Sequence, residues 1–365
     1  MSISGNLLPF AFRAAKSFIV AITILALSGC FSGRQSRGGQ VKIQGAGSTF
    51  INPIMQKWVH QFGGLEPNIR IDYQSIGSGG GIKQLKERTV QFGATDTPMS
   101  DADLASADAQ ILHVPVILGA VVITYNVPEL KGQLKLSPET IAAIFLGKVT
   151  RWDDPMIQAD NPGLSLPAEN LTVVHRSDGS GTSAVFTNYL SKVSPEWRER
   201  VGEGTSPNWP IGLGGKGNEG VTGQIKQTPN TIGYVELAYA QKNSLPVAAI
   251  KNKAGNFVMP NTTTVTRAAA LTIQSLPADL RAIITNADGE DAYPIASYSY
   301  ILVYKKQENQ AVGKALVEFL RWCINDGQRE AQPLYYSPLP AEVARKALEK
   351  INSIEIAAQA NNSNN

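Results

Sequence analysis

Three times before residue 195, a short strand-like run passes through a Gly/Ser/Thr turn into a stretch with helical spacing of apolar residues. Val41-Lys42-Ile43-Gln44 leads through Gly45-Ala46-Gly47-Ser48-Thr49-Phe50 to Ile51, Ile54, Met55, Trp58, Val59 and Phe62 on one helical face. Arg70 to Ser75 leads through Ile76-Gly77-Ser78-Gly79-Gly80-Gly81 to Ile82 through Arg88. Leu171 to Val174 leads through His175-Arg176-Ser177-Asp178-Gly179-Ser180-Gly181-Thr182-Ser183 to Val185, Phe186, Tyr189, Leu190 and Val193. Strand-to-helix alternation predicts an α/β fold. Each helix start offers unpaired N–H groups and the positive end of the helix dipole. Glycines let a ligand approach the backbone, and hydroxyls add donors. One such turn reads equally well as a Ser/Asp cap. Three suggest convergence on a single anion, because open α/β sheets bind ligands outside the carboxyl ends of their strands.

Charged residues join this set. A short strand, Val90 to Thr95, ends at Asp96, and Pro98 stops its continuation. Asp96 is then either a turn residue or a carboxylate aimed into the same crevice. Arg176 can grip two oxygens of a tetrahedral oxyanion, and Asp178 can hold Arg176 in place. An acid in an anion site makes sense when the ligand carries a proton. Phosphate near neutral pH keeps at least one O–H, which a carboxylate accepts. Sulfate has none and would face a buried repulsive contact.

Other chemistries fit less well. Gly45-x-Gly47 lacks the third glycine of a dinucleotide fingerprint, since position 50 is Phe. Gly215-Lys216 is no P-loop, because position 210 is Pro and position 217 is Gly. Residues 209–220 read as a plain backbone loop. The G-x-S-x-G elbow is absent around Ser180, although His175, five residues earlier, could in principle serve as a base. Two cysteines and three scattered histidines give no metal-ligand spacing. A formal charge of +3 without basic-aromatic interleaving argues against nucleic acid.

The N-terminus reads as a targeting segment. Arg13 and Lys16 precede an apolar core, Phe18 to Leu27, which is too short to span a bilayer. Leu27-Ser28-Gly29-Cys30 then looks like a lipoprotein signal with Cys30 as the lipidated residue; the alternatives are a plain signal peptide with a chance Cys and, less in keeping with the short core, an uncleaved anchor. Without Arg13 and Lys16 the charge falls from +3 to +1. The expected organisation is a signal over 1–29, a polar tether over 30–40 and two lobes. Leu112 to Asn126 reads as a buried strand pair, bent at Pro115 and Gly119 where the chain crosses between lobes. Ser137 to Leu146 is a predicted helix, and Leu276 to Ile284 an amphipathic run. Ile295 to Val303 reads as a strand returning to the first lobe. Cys323 lies in one apolar helical stripe over 311–324, and 360–365 is an expected disordered tail.

Five motifs occur in order: Gly45 to Phe50, Ile76 to Gly81, Phe92 to Asp96, Arg176 to Ser183, and Trp209 to Gly217. Together, over residues 41–350, they resemble the substrate-binding proteins of bacterial high-affinity phosphate ABC transporters. The resemblance implies a type II two-lobed periplasmic binding protein with phosphate in the interlobe cleft. Lobe 1 would comprise 41–118 and 297–365, and lobe 2 would comprise 119–296. It also implies donors at Thr49, Phe50 (backbone), Ser78, Ser180, Gly181 (backbone) and Thr182. Asp96 would accept the phosphate proton, and Arg176 would pair with the anion, buttressed by Asp178, which would also contact the ligand. Gly79 departs from the pattern, since many relatives have a second Ser there. The expectation is a monomeric, non-enzymatic periplasmic receptor without cofactor or metal. It would be anchored to a membrane through Cys30 and hand phosphate to permease subunits with their ATPase. The alternatives are a phosphate sensor or scavenger, a phosphate-ester hydrolase, and a binder of another oxyanion.

Overall fold

Each of the three turns does join a strand to a helix in the computed structural model, which describes residues 39–358. The signal segment, Cys30, nearly all of the tether and the 360–365 tail lie outside the described residues. One large sheet contains Val41–Gly47 (β1), Ile69–Ser75 (β2), Phe92–Thr95 (β3), Ile111–Asn126 (β4), Thr172–Arg176 (β5), Leu213–Gly215 (β6), Thr231–Glu236 (β7) and Ala296–Tyr304 (β8). Its order is β2-β1-β3-β8-β4-β7-β5-β6. The helices that matter for the site are Asn52–Leu65 (α1), Ser78–Lys86 (α2), Pro138–Phe145 (α3), Gly181–Val193 (α4), Gly217–Gln227 (α5) and Leu237–Lys242 (α6). Among the described residues no helix is long and apolar enough to cross a membrane.

The strand β4 belongs to both halves of this sheet. Residues 111–120 pair antiparallel with β8, and residues 121–126 pair antiparallel with β7. Here the structure corrects the expected strand pair: 111–126 is a single strand of 16 residues. Pro115 has no N–H to give a ladder. The sheet absorbs it with a bulge, in which Tyr300 pairs with Pro115 and Ser299 with Ile117, so Val116 is the extra residue. All of β4 except Asn126 is buried, as expected of a strand covered on both faces.

In the first half of the sheet, β1 pairs parallel with β2 and β3, so the turns after β1 and β2 and the end of β3 emerge on the same side. In the second half, β5 pairs parallel with β6 and β7. An aromatic cluster seats α4 there. The Phe186 ring lies 4.5 Å from Tyr234 and 4.7 Å from Phe145, and Trp209 lies 5.5 Å from Tyr234. Phe186 and Tyr234 are fully buried, and such rings dominate core energetics.

Two further expectations change. Residues 209–220 are not a plain loop, because β6 and the start of α5 lie within them, making a fourth strand–glycine–helix unit. Three residues of strand and a Gly-rich helix start give too little periodicity to be seen in sequence. The run 276–284 forms no regular helix and follows a short 3-10 turn at Ile273–Ser275. Pro277 and the left-handed backbone of Leu280 (φ 66°) are incompatible with a continuous helix there. Cys323 is fully buried, in line with its apolar stripe.

Candidate functional site

The start of α4 faces the first half of the sheet at van der Waals range. A Cβ built on Gly181 would lie 2.3 Å from Ser78 Oγ, 2.5 Å from Asp96 Oδ2 and 2.9 Å from the Asp96 backbone nitrogen. Gly77, at φ 90°, approaches Asp178 and Gly179 as closely: its Cβ would stand 2.4 Å from Asp178 Oδ2. Only glycine suits that backbone and that gap together. The Gly79 N–H donates to the Gly179 carbonyl at 2.9 Å. A side chain at position 79 would meet Gly179 Cα at 3.2 Å, which gives the glycine at this departure from the family pattern a steric rationale.

The candidate phosphate-binding residues sit around this junction. Thr49, Phe50, Ser78, Asp96, Arg176, Ser180 and Thr182 are buried, and Asp178 is partly buried. Arg176 lies at the end of β5 and forks onto Asp178, with Nε to Oδ1 at 2.8 Å and Nη2 to Oδ2 at 2.5 Å. Its Nη1 also donates to Thr182 Oγ1 at 3.2 Å. Burial tends to raise the Asp178 pKa. The Arg176 hydrogen bonds and charge, with the Gly217 N–H, outweigh that and hold it below the usual carboxylate range. Ser180 Oγ accepts the Ser183 N–H at 3.0 Å and caps α4, which leaves its hydroxyl hydrogen free for other use. Ser180 and His175 do not form a nucleophile–base pair. The His175 ring stacks 4.9 Å from Trp209, and its Nδ1 donates to the Arg176 carbonyl.

Asp96 is fully buried in a ring of hydroxyls. Ser48 Oγ and Ser299 Oγ donate to Oδ1 at 2.6 and 2.8 Å, and Ser78 Oγ donates to Oδ2 at 3.4 Å. Burial pushes its pKa up to about 6, against the opposing pull of the Ser48 and Ser299 hydrogen bonds, the Arg176 charge and the Ser78 hydrogen bond. Among the candidate binding residues, Asp178 is occupied by Arg176, and the other polar side chains besides Asp96 are hydroxyls or the Arg176 guanidinium. Asp96 is therefore the principal acceptor of that set.

Several participants escaped sequence reasoning. Three tyrosine hydroxyls lie on consecutive carbonyls of the first turn: Tyr73 on Ser48 O at 2.7 Å, Tyr239 on Thr49 O at 2.6 Å, and Tyr336 on Phe50 O at 2.6 Å. They come from β2, from α6 and from the segment near Ser337, so no local spacing links them. With the carbonyls tied outward, the turn is fixed in one orientation. Ser48 stands in the first motif beside Thr49, and nothing local marks it as a partner of Asp96. Ser299 shows only as an alternating serine in an apolar strand. Asn218, at the start of α5, contacts both Thr49 Oγ1 and Thr182 Oγ1. Tyr234 Oη accepts the Arg176 N–H at 3.1 Å and lies 2.6 Å from Ser183 Oγ. Tyr234→Phe leaves both groups short of a partner, and a loss of about 1–3 kcal/mol in urea-unfolding stability is expected.

Residues 32–326 match the PBP superfamily domain. The chain is 45% identical over 307 residues to the phosphate-binding protein PstS of Xylella fastidiosa, covering 84% of each chain. It is 38% identical over 363 residues to the phosphate-binding protein PstS of Methanocaldococcus jannaschii, covering 92% of this chain and 93% of that one. Among solved structures, it resembles the phosphate-binding protein of Stenotrophomonas maltophilia with a TM-score of 0.66 at 17% identity, covering 85% and 93% of the two chains. It also resembles a high-affinity periplasmic phosphate-binding protein solved with phosphate bound, with a TM-score of 0.64 at 19% identity, covering 84% and 92%. The structural likeness gives the fold, that of a two-lobed α/β periplasmic binding protein. With the sequence identity, it places the chain in a family: it belongs to the PstS phosphate-binding proteins of the PBP superfamily.

Proposed function

We propose that this chain is the receptor of a phosphate importer. It binds inorganic phosphate between its lobes and presents it to ABC permease subunits driven by a separate ATPase. The observation that carries this reading is the buried Asp96 carboxylate facing the donor-rich start of α4. Thr49, Ser78, Ser180 and Thr182 supply hydroxyls, Phe50 and Gly181 supply backbone N–H groups, and Arg176 supplies the charge, with Asp178 fixing its fork. Asp96 accepts the one proton that phosphate retains. The mechanism is binding and lobe closure, with no bond made or broken. In this reading lobe 1 comprises 41–118 with 297–365, and lobe 2 comprises 119–296. The mature protein is a monomer held at a bacterial membrane through lipidated Cys30, and the mass of its N-terminal peptide tests that anchor. Titration calorimetry tests the main reading. Phosphate binding that persists in excess sulfate, with no turnover of phosphate esters, is expected. Absence of phosphate binding refutes it.

Asp96→Asn gives a prediction with a definite sign. The folded-state pKa of about 6 lies above the ordinary aspartate value of 3.8. Below that ordinary value the carboxyl is neutral in the folded and unfolded chain alike, and burial carries no charge penalty. As pH rises through about 6, the ligand-free folded protein is left with an ionised buried carboxylate. The penalty approaches about 3 kcal/mol. An asparagine at this position carries no charge, and the surrounding serine hydroxyls can rotate to accept from its amide. Ligand-free Asp96→Asn should therefore melt higher than the parent at pH 8, and the gap should close by pH 4. The same variant should bind sulfate more tightly and phosphate more weakly. If sulfate binding does not improve and phosphate binding does not fall, Asp96 is not the proton acceptor.

A further inference from the structure

The geometry points to Asn218 as the residue that sets the hydrogen-bonding sense of the site, forcing the Thr49 and Thr182 hydroxyls to act toward the ligand only as donors. This inference rests on the proposed phosphate site. Asn218 is fully buried at the start of α5. Its Oδ1 accepts the Glu236 N–H at 2.9 Å. A backbone N–H can only donate, so this contact fixes which end of the amide is oxygen and which is NH2. The Nδ2 end then donates to Thr49 Oγ1 at 2.8 Å and to Thr182 Oγ1 at 3.1 Å.

Each threonine oxygen receives a second donor. Thr49 Oγ1 also accepts the Asn218 N–H at 3.2 Å, and Thr182 Oγ1 also accepts Arg176 Nη1 at 3.2 Å. A hydroxyl has two acceptor lone pairs and one hydrogen. With both lone pairs occupied, each hydroxyl has only its hydrogen left to offer. Left to themselves, these hydroxyls could rotate and accept the ligand's proton in competition with Asp96. Asn218 removes that freedom on both sides of the cleft, since Thr49 precedes α1 in the first half of the sheet and Thr182 lies in α4 of the second. Asp96 is thereby left as the acceptor, and one protonation state of the oxyanion fits. The same contacts bridge the two lobes, so the donor sense is imposed in the closed arrangement described here.

Asn218 is thus a positioning residue, and its effect must pass through the two threonines. The test is a double-mutant cycle read by phosphate calorimetry. Asn218→Ser, which removes the NH2 without adding bulk, should weaken phosphate binding about thirtyfold in the parent. In a Thr182→Val background, and in a Thr49→Val background, the same change should cost at most about sixfold, because one of the two hydroxyls it orients is gone. Asn218→Leu serves as the second variant and should show the same pattern. Equal losses in all three backgrounds overturn the inference, as does an Asn218→Ser loss below threefold in the parent. If the parent itself does not bind phosphate, the proposed function fails first, which is a separate result from a flat cycle on a binding protein.

Discussion

A Gly181→Ala variant should still fold and lose about 100-fold or more in phosphate affinity. Gly181 begins α4 without positive φ, so alanine meets no backbone strain there. Such a replacement reduces the freedom of the unfolded chain and ordinarily adds about 0.4–1 kcal/mol. The added methyl carbon, however, would stand 2.3 Å from Ser78 Oγ, 2.5 Å from Asp96 Oδ2 and 2.9 Å from the Asp96 nitrogen. Those atoms belong to the facing half of the molecule, and one is backbone that cannot swing aside. The lobes must stand off by roughly an ångström, which is enough to weaken every contact made from one side. About 3 kcal/mol of binding energy corresponds to roughly 100-fold in affinity. Calorimetry with phosphate, paired with a ligand-free thermal melt, separates the two effects. Unchanged affinity would show that the close approach at Gly181 is not required for binding.

The contrast between stability and affinity reflects how the site is built, and it bears on what the sequence could reveal. The strand–turn–helix units were legible because the physics is local. A glycine-rich turn between a strand and an amphipathic helix fixes a helix start; two of them leave one side of the parallel first half of the sheet, and the third leaves β5 of the second half and faces them. Thr49, Ser78, Arg176 and Thr182 could be named on that ground, as could Asp96 at a strand end. Asn218 could not. It lies in a segment whose three-residue strand leaves no periodic signal, and its partners are 169 and 36 residues away. The three tyrosines that tie the carbonyls of Ser48, Thr49 and Phe50 are equally nonlocal, as is Ser299, which reaches Asp96 only because β8 runs between β3 and β4. For a related reason the sequence of Leu112 to Asn126 reads as a strand pair. Pro115 ordinarily interrupts a ladder, and only the partner strand reveals the bulge that accommodates it. The proposed binding residues are written into helix starts and a strand end. Residues that orient them depend on how distant strands stack.

Arg176→Ala should produce the largest loss of all, with a signature that separates its two causes. The Arg176 side chain is 1% exposed and that of Asp178 is 12% exposed. Truncating one partner of a buried, hydrogen-bonded pair leaves the other charge without compensation, which costs about 3–5 kcal/mol. Phosphate binding loses its only buried cation among the site residues, and about a thousandfold fall is expected from the 2–5 kcal/mol typical of such truncations. The pH dependence follows from Asp178. Arg176 holds its carboxyl below the usual carboxylate range in the folded parent, so the pair stabilises the fold above that range and is lost only as pH falls through the depressed value. In the variant the orphaned carboxylate is most costly at neutral pH, and acidification relieves it by protonation. The stability gap between parent and variant should therefore narrow from pH 7 toward pH 4. Adding Asp178→Ala to Arg176→Ala removes the orphaned charge and should restore much of the folding stability while leaving phosphate binding as weak as before. If the double variant regains affinity along with stability, Arg176 contributes through the integrity of the fold and not through contact with the anion. If it regains neither, the pair is not what holds this end of β5, and the aromatic cluster beneath it, with Tyr234 on the Arg176 N–H, is the stronger support.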